Sequence, residues 1–78
     1  MSSSTILCLA DAEKGHAFLR EIRSRGWRVI LLTRDELRSA DWPWDALDEI
    51  HTVYDFNRAR DLMDAVIELA RRQRIDRV

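Results

Sequence analysis

The chain alternates between short apolar runs and longer stretches whose apolar residues have helical spacing. Residues 5–10 form an almost continuous apolar run, typical of a strand that is buried on both faces. Residues 27–33 repeat this pattern, and residues 49–54 repeat it in a shorter and more polar form that suits a strand near a sheet edge. Residues 75–78 resemble the start of a fourth strand. The pattern predicts a Rossmann-like three-layer α/β fold whose parallel strands lie in the order first, second, third.

Helical spacing connects the first two predicted strands. Asp11 is predicted to cap the first helix, and Gly26 is predicted to end it. Gly15 is predicted to let helix and strand approach closely, since glycine has no side chain. The helix is predicted to pack one apolar stripe on the sheet; the stripe consists of Gly15, Phe18, Leu19 and Ile22.

A second, longer helix is predicted after the third strand. Asn57 is its predicted cap, and its broad apolar stripe extends from Ala59 to Ala70. The connection over residues 34–48 is predicted to be partly helical, with Pro43 at an early helical position. No internal repeat or low-complexity tract interrupts the pattern.

Composition limits the class of protein. With 78 residues the chain holds one domain, residues 1–78, near the size at which a single core is marginally stabilising, and we expect the domain to continue beyond Val78. No apolar run approaches the roughly 20 residues of a membrane span, so no membrane partner is expected. The formal charge of -1 argues against nucleic acid. The polar start, residues 1–4, lacks the features of a signal peptide, and the cytoplasm is the expected location.

Candidate chemistry is sparse. The turn after the first strand, residues 10–15, lacks the glycine pattern that cradles a nucleotide phosphate. It places Asp11 and Glu13 where a phosphate would bind, and their carboxylates would repel it. Cys8 is the only cysteine and is predicted to be a buried structural thiol. The spacing of cysteines and histidines predicts no metal site, and no catalytic residue can be named.

Several segments of the chain resemble the N-terminus of bacterial ATP-grasp proteins, the relatives of carbamoyl-phosphate synthase, biotin carboxylase and the carboxylate-amine ligases. The resemblance covers nearly the whole chain, although it consists of packing and turn patterns rather than catalytic signatures. The segments that carry it are residues 7–10, 13–16, 18–20, 31–33, 41–43, 46–50 and 74–78.

The resemblance implies a pre-ATP-grasp domain, the structural and substrate-side unit that precedes the ATP-grasp module of an ATP-dependent ligase. In such enzymes ATP activates a carboxylate as an acyl phosphate, and ATP and Mg²⁺ are held by later domains. No cofactor is therefore expected in these 78 residues, which should be inert alone and should have the downstream ATP-grasp domain as their partner. The strand ends that would line the substrate side are Asp11, Thr33, Arg34 and Asp55.

Two other interpretations remain open from the sequence. A self-contained flavodoxin-like or receiver-like interaction module would act through surface contacts, and Asp11 and Asp55 would then belong to an acidic cluster. A nicotinamide-dependent enzyme, with Arg34 on a 2′-phosphate, would need the missing glycines. Whatever the function, the short fourth strand should leave one edge of the first strand exposed or covered by something unusual, which predicts self-association through that edge.

Overall fold

The computed structural model describes residues 4–78, so the first three residues of the polar start lie outside it. The described residues form three strands and two α-helices, with two short 3₁₀ turns between the second and third strands. In order they are β1 (Thr5–Ala10), α1 (His16–Ser24), β2 (Arg28–Arg34), β3 (Glu49–Val53) and α2 (Ala59–Arg72). Each strand bound lies within one residue of its prediction. The α/β class is thereby confirmed.

The sheet is parallel and has the order β1-β2-β3. Thr5 pairs with Arg28, and Ile30 pairs with Glu49, so both neighbours of β2 follow the predicted arrangement. On the other side of β1, Arg77 forms a single parallel bridge with Ile6. The predicted fourth strand therefore begins beside β1 and covers only the start of that edge.

Two apolar clusters fill the space between the sheet and its covering layers. Alternate residues of each strand face opposite sides, so β2 contributes Ile30 and Leu32 to one cluster and Val29 and Leu31 to the other. The first cluster includes Leu69 of α2, and the second includes Leu19 of α1. This two-sided burial accounts for the nearly continuous apolar runs of β1 and β2.

The start of α1 differs from its prediction. Asp11 does not cap the helix, which begins at His16 after Gly15 in the left-handed conformation, with φ at 81°. This backbone conformation is what requires a glycine, because L side chains rarely adopt it. The predicted close approach is wrong, since nothing lies within 4 Å of a Cβ placed on Gly15. Phe18 is also not part of the buried stripe and is 60% exposed.

The end of α1 confirms the role of Gly26. Its φ is 88°, and its N–H donates to the Arg23 carbonyl at 3.0 Å. The Trp27 N–H donates to the Ile22 carbonyl at 3.3 Å. These two bonds form a Schellman motif, which satisfies carbonyls at the helix end and turns the chain into β2.

The start of α2 also differs from its prediction. Arg58 is the N-cap and makes no side-chain capping bond, so Asn57 does not cap the helix. The Asp55 carboxylate accepts the Asn57 N–H at 2.8 Å, which forms a local turn before the helix.

Among residues 4–78, no helix has the length and apolar character of a membrane span.

The connection between β2 and β3 is partly helical, as predicted. It contains two short 3₁₀ turns, Asp35–Leu37 and Trp44–Ala46, with Pro43 at the N-cap of the second. Between them, Trp42 is 2% exposed and its indole N–H donates to the Leu37 carbonyl at 2.8 Å. The connection therefore covers the α1 side of the sheet.

Candidate functional site at the carboxyl edge of the sheet

Asp11 and Arg34 meet where β1 and β2 end. The Arg34 Nε donates to the Asp11 carbonyl at 3.1 Å and lies 3.3 Å from the Asp11 Oδ1. A second carboxylate, that of Glu36, lies 3.6 Å from the Arg34 Nη1. These two predicted substrate-side residues are thus brought together, and the Arg34 charge is shared between two acidic partners.

Thr33 has a structural role at the same edge. Its side chain is fully buried, and its hydroxyl donates to the Ala10 carbonyl at 2.6 Å. This bond ties the end of β2 to the end of β1. Because the hydroxyl is both occupied and enclosed, Thr33 cannot contact a substrate in this conformation.

Asp55 takes no part in the Asp11–Arg34 pair. Its carboxylate accepts the Asn57 N–H, and its carbonyl accepts the Arg58 N–H at 3.2 Å. No hydrogen bond or ion pair within residues 4–78 joins it to Arg34, whose partners are Asp11 and Glu36. Of the four predicted positions, only Asp11 and Arg34 form a charged surface together.

The turn after β1 is attached to the connection on the α1 side. The Glu13 Oε1 accepts the Asp41 N–H at 2.8 Å, and the other Glu13 oxygen lies 3.8 Å from the His16 Nε2. The His16 ring is 6.0 Å from the Trp42 ring, and its Nε2 is buried without a hydrogen-bond partner. Glu13 thus holds this turn against the connection instead of leaving it open to an anion.

Among the described residues, the carboxyl edge of the sheet offers charged side chains but no metal site. It presents the Asp11 and Arg34 charges, but the part of the chain that the structure describes contains no group of three His, Cys, Asp or Glu side chains able to hold a metal ion. The lone thiol, that of Cys8, is half-buried within β1, and burial raises its pKa. A thiol with a raised pKa is a poor nucleophile at neutral pH.

A second polar cluster, at the amino ends of β2 and β3, was not predicted from the sequence. The Asp48 Oδ2 accepts the Val29 N–H at 2.7 Å and a bond from the Arg23 guanidinium. Partial burial raises the Asp48 pKa, but these two bonds and the Arg23 and Arg28 charges outweigh it, so the net pKa is lowered. Asp48 thereby joins the end of α1 to β2 and β3.

Glu49 makes a second set of bonds at this amino edge of the sheet. It accepts bonds from the Arg28 guanidinium and from the Gln73 amide, and the His51 Nε2 lies 2.8 Å from its Oε1. The bond with His51 is the main reason that the Glu49 pKa is lowered, and the bonds with Gln73 and Arg28 lower it further. One feature of the sequence could have predicted this cluster. Arg28 and Glu49 are charged residues at the starts of two strands, and neighbouring parallel strands have their starts at the same edge of the sheet.

Asp76 joins the two ends of the described chain. Its Oδ2 accepts the Thr5 N–H at 2.8 Å, and its own N–H donates to the Thr5 carbonyl at 2.8 Å. The bond from the Thr5 N–H is the main reason that the Asp76 pKa is lowered, with further contributions from Arg74 and Arg77. This carboxylate therefore stabilises the pairing of residues 76–77 with β1.

The lowered pKa values of Asp48, Glu49 and Asp76 predict that acid destabilises the fold. A carboxyl group with a lower pKa in the folded state stabilises it fully above its unfolded pKa, about 4 for these side chains, and loses that contribution as the pH falls through the folded value. We expect the free energy of unfolding, measured with urea, to fall between pH 5 and about pH 3. Glu49→Gln should flatten this fall, because glutamine does not titrate. A stability that stays constant or rises on acidification would contradict the prediction.

An open cleft of about 730 Å³ lies along β1. Its lining includes Cys8 and Leu9 of the strand, Phe18 of α1, Leu62 of α2 and the terminal Val78. We call this cleft the β1 slot. One edge of the first strand is exposed, as predicted, since β1 is the outer strand of the sheet and, within residues 4–78, only the Ile6–Arg77 bridge pairs with that edge.

Comparison of the chain with protein-family models, with curated proteins and with solved structures finds no match.

Proposed function

We propose that this chain is the N-terminal structural and substrate-side domain of an ATP-dependent carboxylate ligase of the ATP-grasp type. The observation that carries the proposal is the turn after β1. A nucleotide-binding Rossmann domain holds phosphate there, on glycine amides and a helix N-terminus. Here Asp11 and Glu13 occupy the turn and bind Arg34 and Asp41 of the same chain. Such a turn suits a domain whose parent protein binds ATP and Mg²⁺ elsewhere.

The Asp11–Arg34 pair supports the substrate-side part of the proposal. Arg34 is about one-third exposed, and its guanidinium offers donors in a planar array that matches a carboxylate. A carboxylate substrate could exchange with Asp11 or Glu36 as the acceptor of these bonds. The role is one of binding and orientation, and the proposal assigns no catalytic residue to this chain.

The proposal predicts that the 78-residue chain alone does not bind ATP. Titration calorimetry with ATP and Mg²⁺ should give no measurable heat of binding up to about 1 mM ligand. A dissociation constant above about 1 mM corresponds to a binding free energy of less than about 4 kcal/mol, which is too weak for a nucleotide site. A known ATP-binding protein in the same buffer is the positive control. A micromolar dissociation constant for ATP would contradict the proposed role.

A test on the parent protein addresses the activity itself. The reading frame after codon 78 should encode further α/β structure and then a module with the lysines and the acidic or amide residues that bind ATP and Mg²⁺. The complete product should release ADP in the presence of a carboxylate and an amine, and Arg34→Ala should raise the KM for the carboxylate with little change in the KM for ATP. A frame without such a module would overturn the proposal.

The receiver-like alternative receives no support from the carboxyl edge. A receiver needs a cluster of acidic side chains around its phospho-accepting aspartate. Asp11 is paired with Arg34, and Asp55 accepts the Asn57 N–H in a separate turn. The described residues thus place these two carboxylates in different local structures.

A further inference from the structure

The open edge of β1 carries backbone groups that face the β1 slot. In a parallel pair, alternate residues direct both their N–H and their C=O to the same neighbour. The Ser4 carbonyl accepts the Arg28 N–H, so even-numbered residues of this segment face β2. Odd-numbered residues face the other way, where the Leu7 N–H donates to the Arg77 carbonyl at 2.8 Å.

This alternation leaves three groups directed into the slot: the Leu7 carbonyl, the Leu9 N–H and the Leu9 carbonyl. Within residues 4–78, no bond outside the β1–β2 ladder reaches any of the three. Unpaired groups at a strand edge are a template for another strand. The template here has a fixed direction, because Arg77 already pairs with Ile6 in the parallel sense.

The walls of the slot suit an apolar strand that is covered on both faces. Phe18 of α1 lines one wall, and Leu62 and Phe56 line the other. Large apolar side chains remain exposed around the opening: Leu9 is 42% exposed, Phe18 60% and Val78 73%. An extended segment with apolar side chains on both faces would cover these surfaces and remove them from water.

We infer that the β1 slot is filled by an extended apolar segment that follows Val78 in the polypeptide and pairs with β1 in parallel. The inference rests on the part of the proposed function that places this chain at the start of a longer protein. The register follows from the Ile6–Arg77 bridge. The first residue after Val78 would donate to the Leu7 carbonyl and accept the Leu9 N–H, and the third would donate to the Leu9 carbonyl.

A second copy of the chain fits the slot less well. A two-fold axis between two β1 strands would pair them in the antiparallel sense. Val78 follows the bridge of Arg77 with Ile6 and therefore lies at the level of Leu7. That position leaves only residues 8–10 of each copy free to pair. The continuous chain meets no such obstacle and satisfies all three free groups.

The test compares the 78-residue chain with two versions extended at the C-terminus by four residues. One extension is Val-Ile-Val-Thr, which can form the strand, and the matched control is Asp-Gly-Ser-Asp, which disfavours a strand. NMR hydrogen exchange would follow the Leu9 amide, and sedimentation would give the oligomeric state. We expect the apolar extension alone to slow exchange at Leu9 at least about tenfold in a monomer.

Two results would overturn the inference. One is Leu9 exchange that is equally fast with both extensions. The other is a dimer of the 78-residue chain in which the Leu9 amide is already protected and which the apolar extension does not dissociate, since this would assign the slot to a second copy. Neither result bears on ADP release by the parent protein, so failure of the inference is distinguishable from failure of the proposed function.

Discussion

Replacing Leu32 with alanine should cause a larger loss of stability than any other substitution proposed for this chain. Leu32 lies in β2, the central strand, and is fully buried with Leu7, Ile30 and Val53 around it. A buried Leu→Ala change costs about 2–5 kcal/mol, because it removes apolar contacts and leaves a cavity. A domain of this size has only about 4–12 kcal/mol in total. We expect urea unfolding to show a loss of about 3 kcal/mol, with partial unfolding at 37 °C.

Leu9→Ala is the matched control for this prediction. It makes the same chemical change in a neighbouring strand, but Leu9 is 42% exposed at the open edge. Its removal should cost less than about 1 kcal/mol, since surface substitutions usually have small effects. Equal losses in the two variants would mean that the two-sided core does not dominate the stability.

Replacing Asp48 with alanine should produce the second largest loss. The change removes the acceptor of the Val29 N–H and the ionic partner of Arg23. Val29 is fully buried, and a buried donor without a partner costs about 1–3 kcal/mol. We expect a loss of about 2 kcal/mol at pH 7 by urea unfolding. Because the pKa of Asp48 is lowered in the folded state, the difference between the two chains should shrink only as the pH falls through that lowered pKa.

Asp45→Ala tests whether this effect is specific to the position. Asp45 also faces an arginine of α1, but its carboxylate lies 4.0 Å from Arg20 and both side chains are more than half exposed. Exposed ion pairs contribute about 0–1 kcal/mol, so the stability should hardly change. A loss as large as that of Asp48→Ala would show that acidic residues act on this chain through general charge and not through the bond to Val29.

The strands were predictable because their signal is strong and local. A strand that is covered on both faces is apolar at most of its positions, and the centres of β1 and β2 show this in the printed sequence. The order of the strands in the sheet and the beginning of a fourth strand beside β1 then follow from the connections between parallel strands. The third strand, with fewer buried residues, was still placed to within one residue.

The helix starts were not predictable from capping residues alone. Asp11 is a good cap in isolation, but it lies close to Arg34, a residue 23 positions later in the chain. Asp55 likewise captures the N–H of Asn57, and the helix begins only after Arg58. In both places a contact that depends on the folded arrangement competes with a local preference, and spacing along the sequence contains no information about that contact.

The candidate site was predictable only as a set of positions. The rule that parallel strands end at one edge placed Asp11 and Arg34 together, and the structure joins them. The same rule could not show that Thr33 is enclosed or that Asp55 turns toward its own loop. The polar cluster around Asp48 and Glu49 did not follow from that rule, which concerns ligand sites at the carboxyl edge, whereas this cluster lies at the amino edge.

The paired bonds between Thr5 and Asp76 have a consequence for synthesis on the ribosome. They join residues that are 71 positions apart, so even the start of the β1 edge stays unpaired until the end of the described chain has emerged. At about 5–20 residues per second, roughly two to eight seconds separate the emergence of β2 from that of Asp76. During this interval the nascent β1–β2 unit presents an apolar strand edge, which is the kind of surface that molecular chaperones protect.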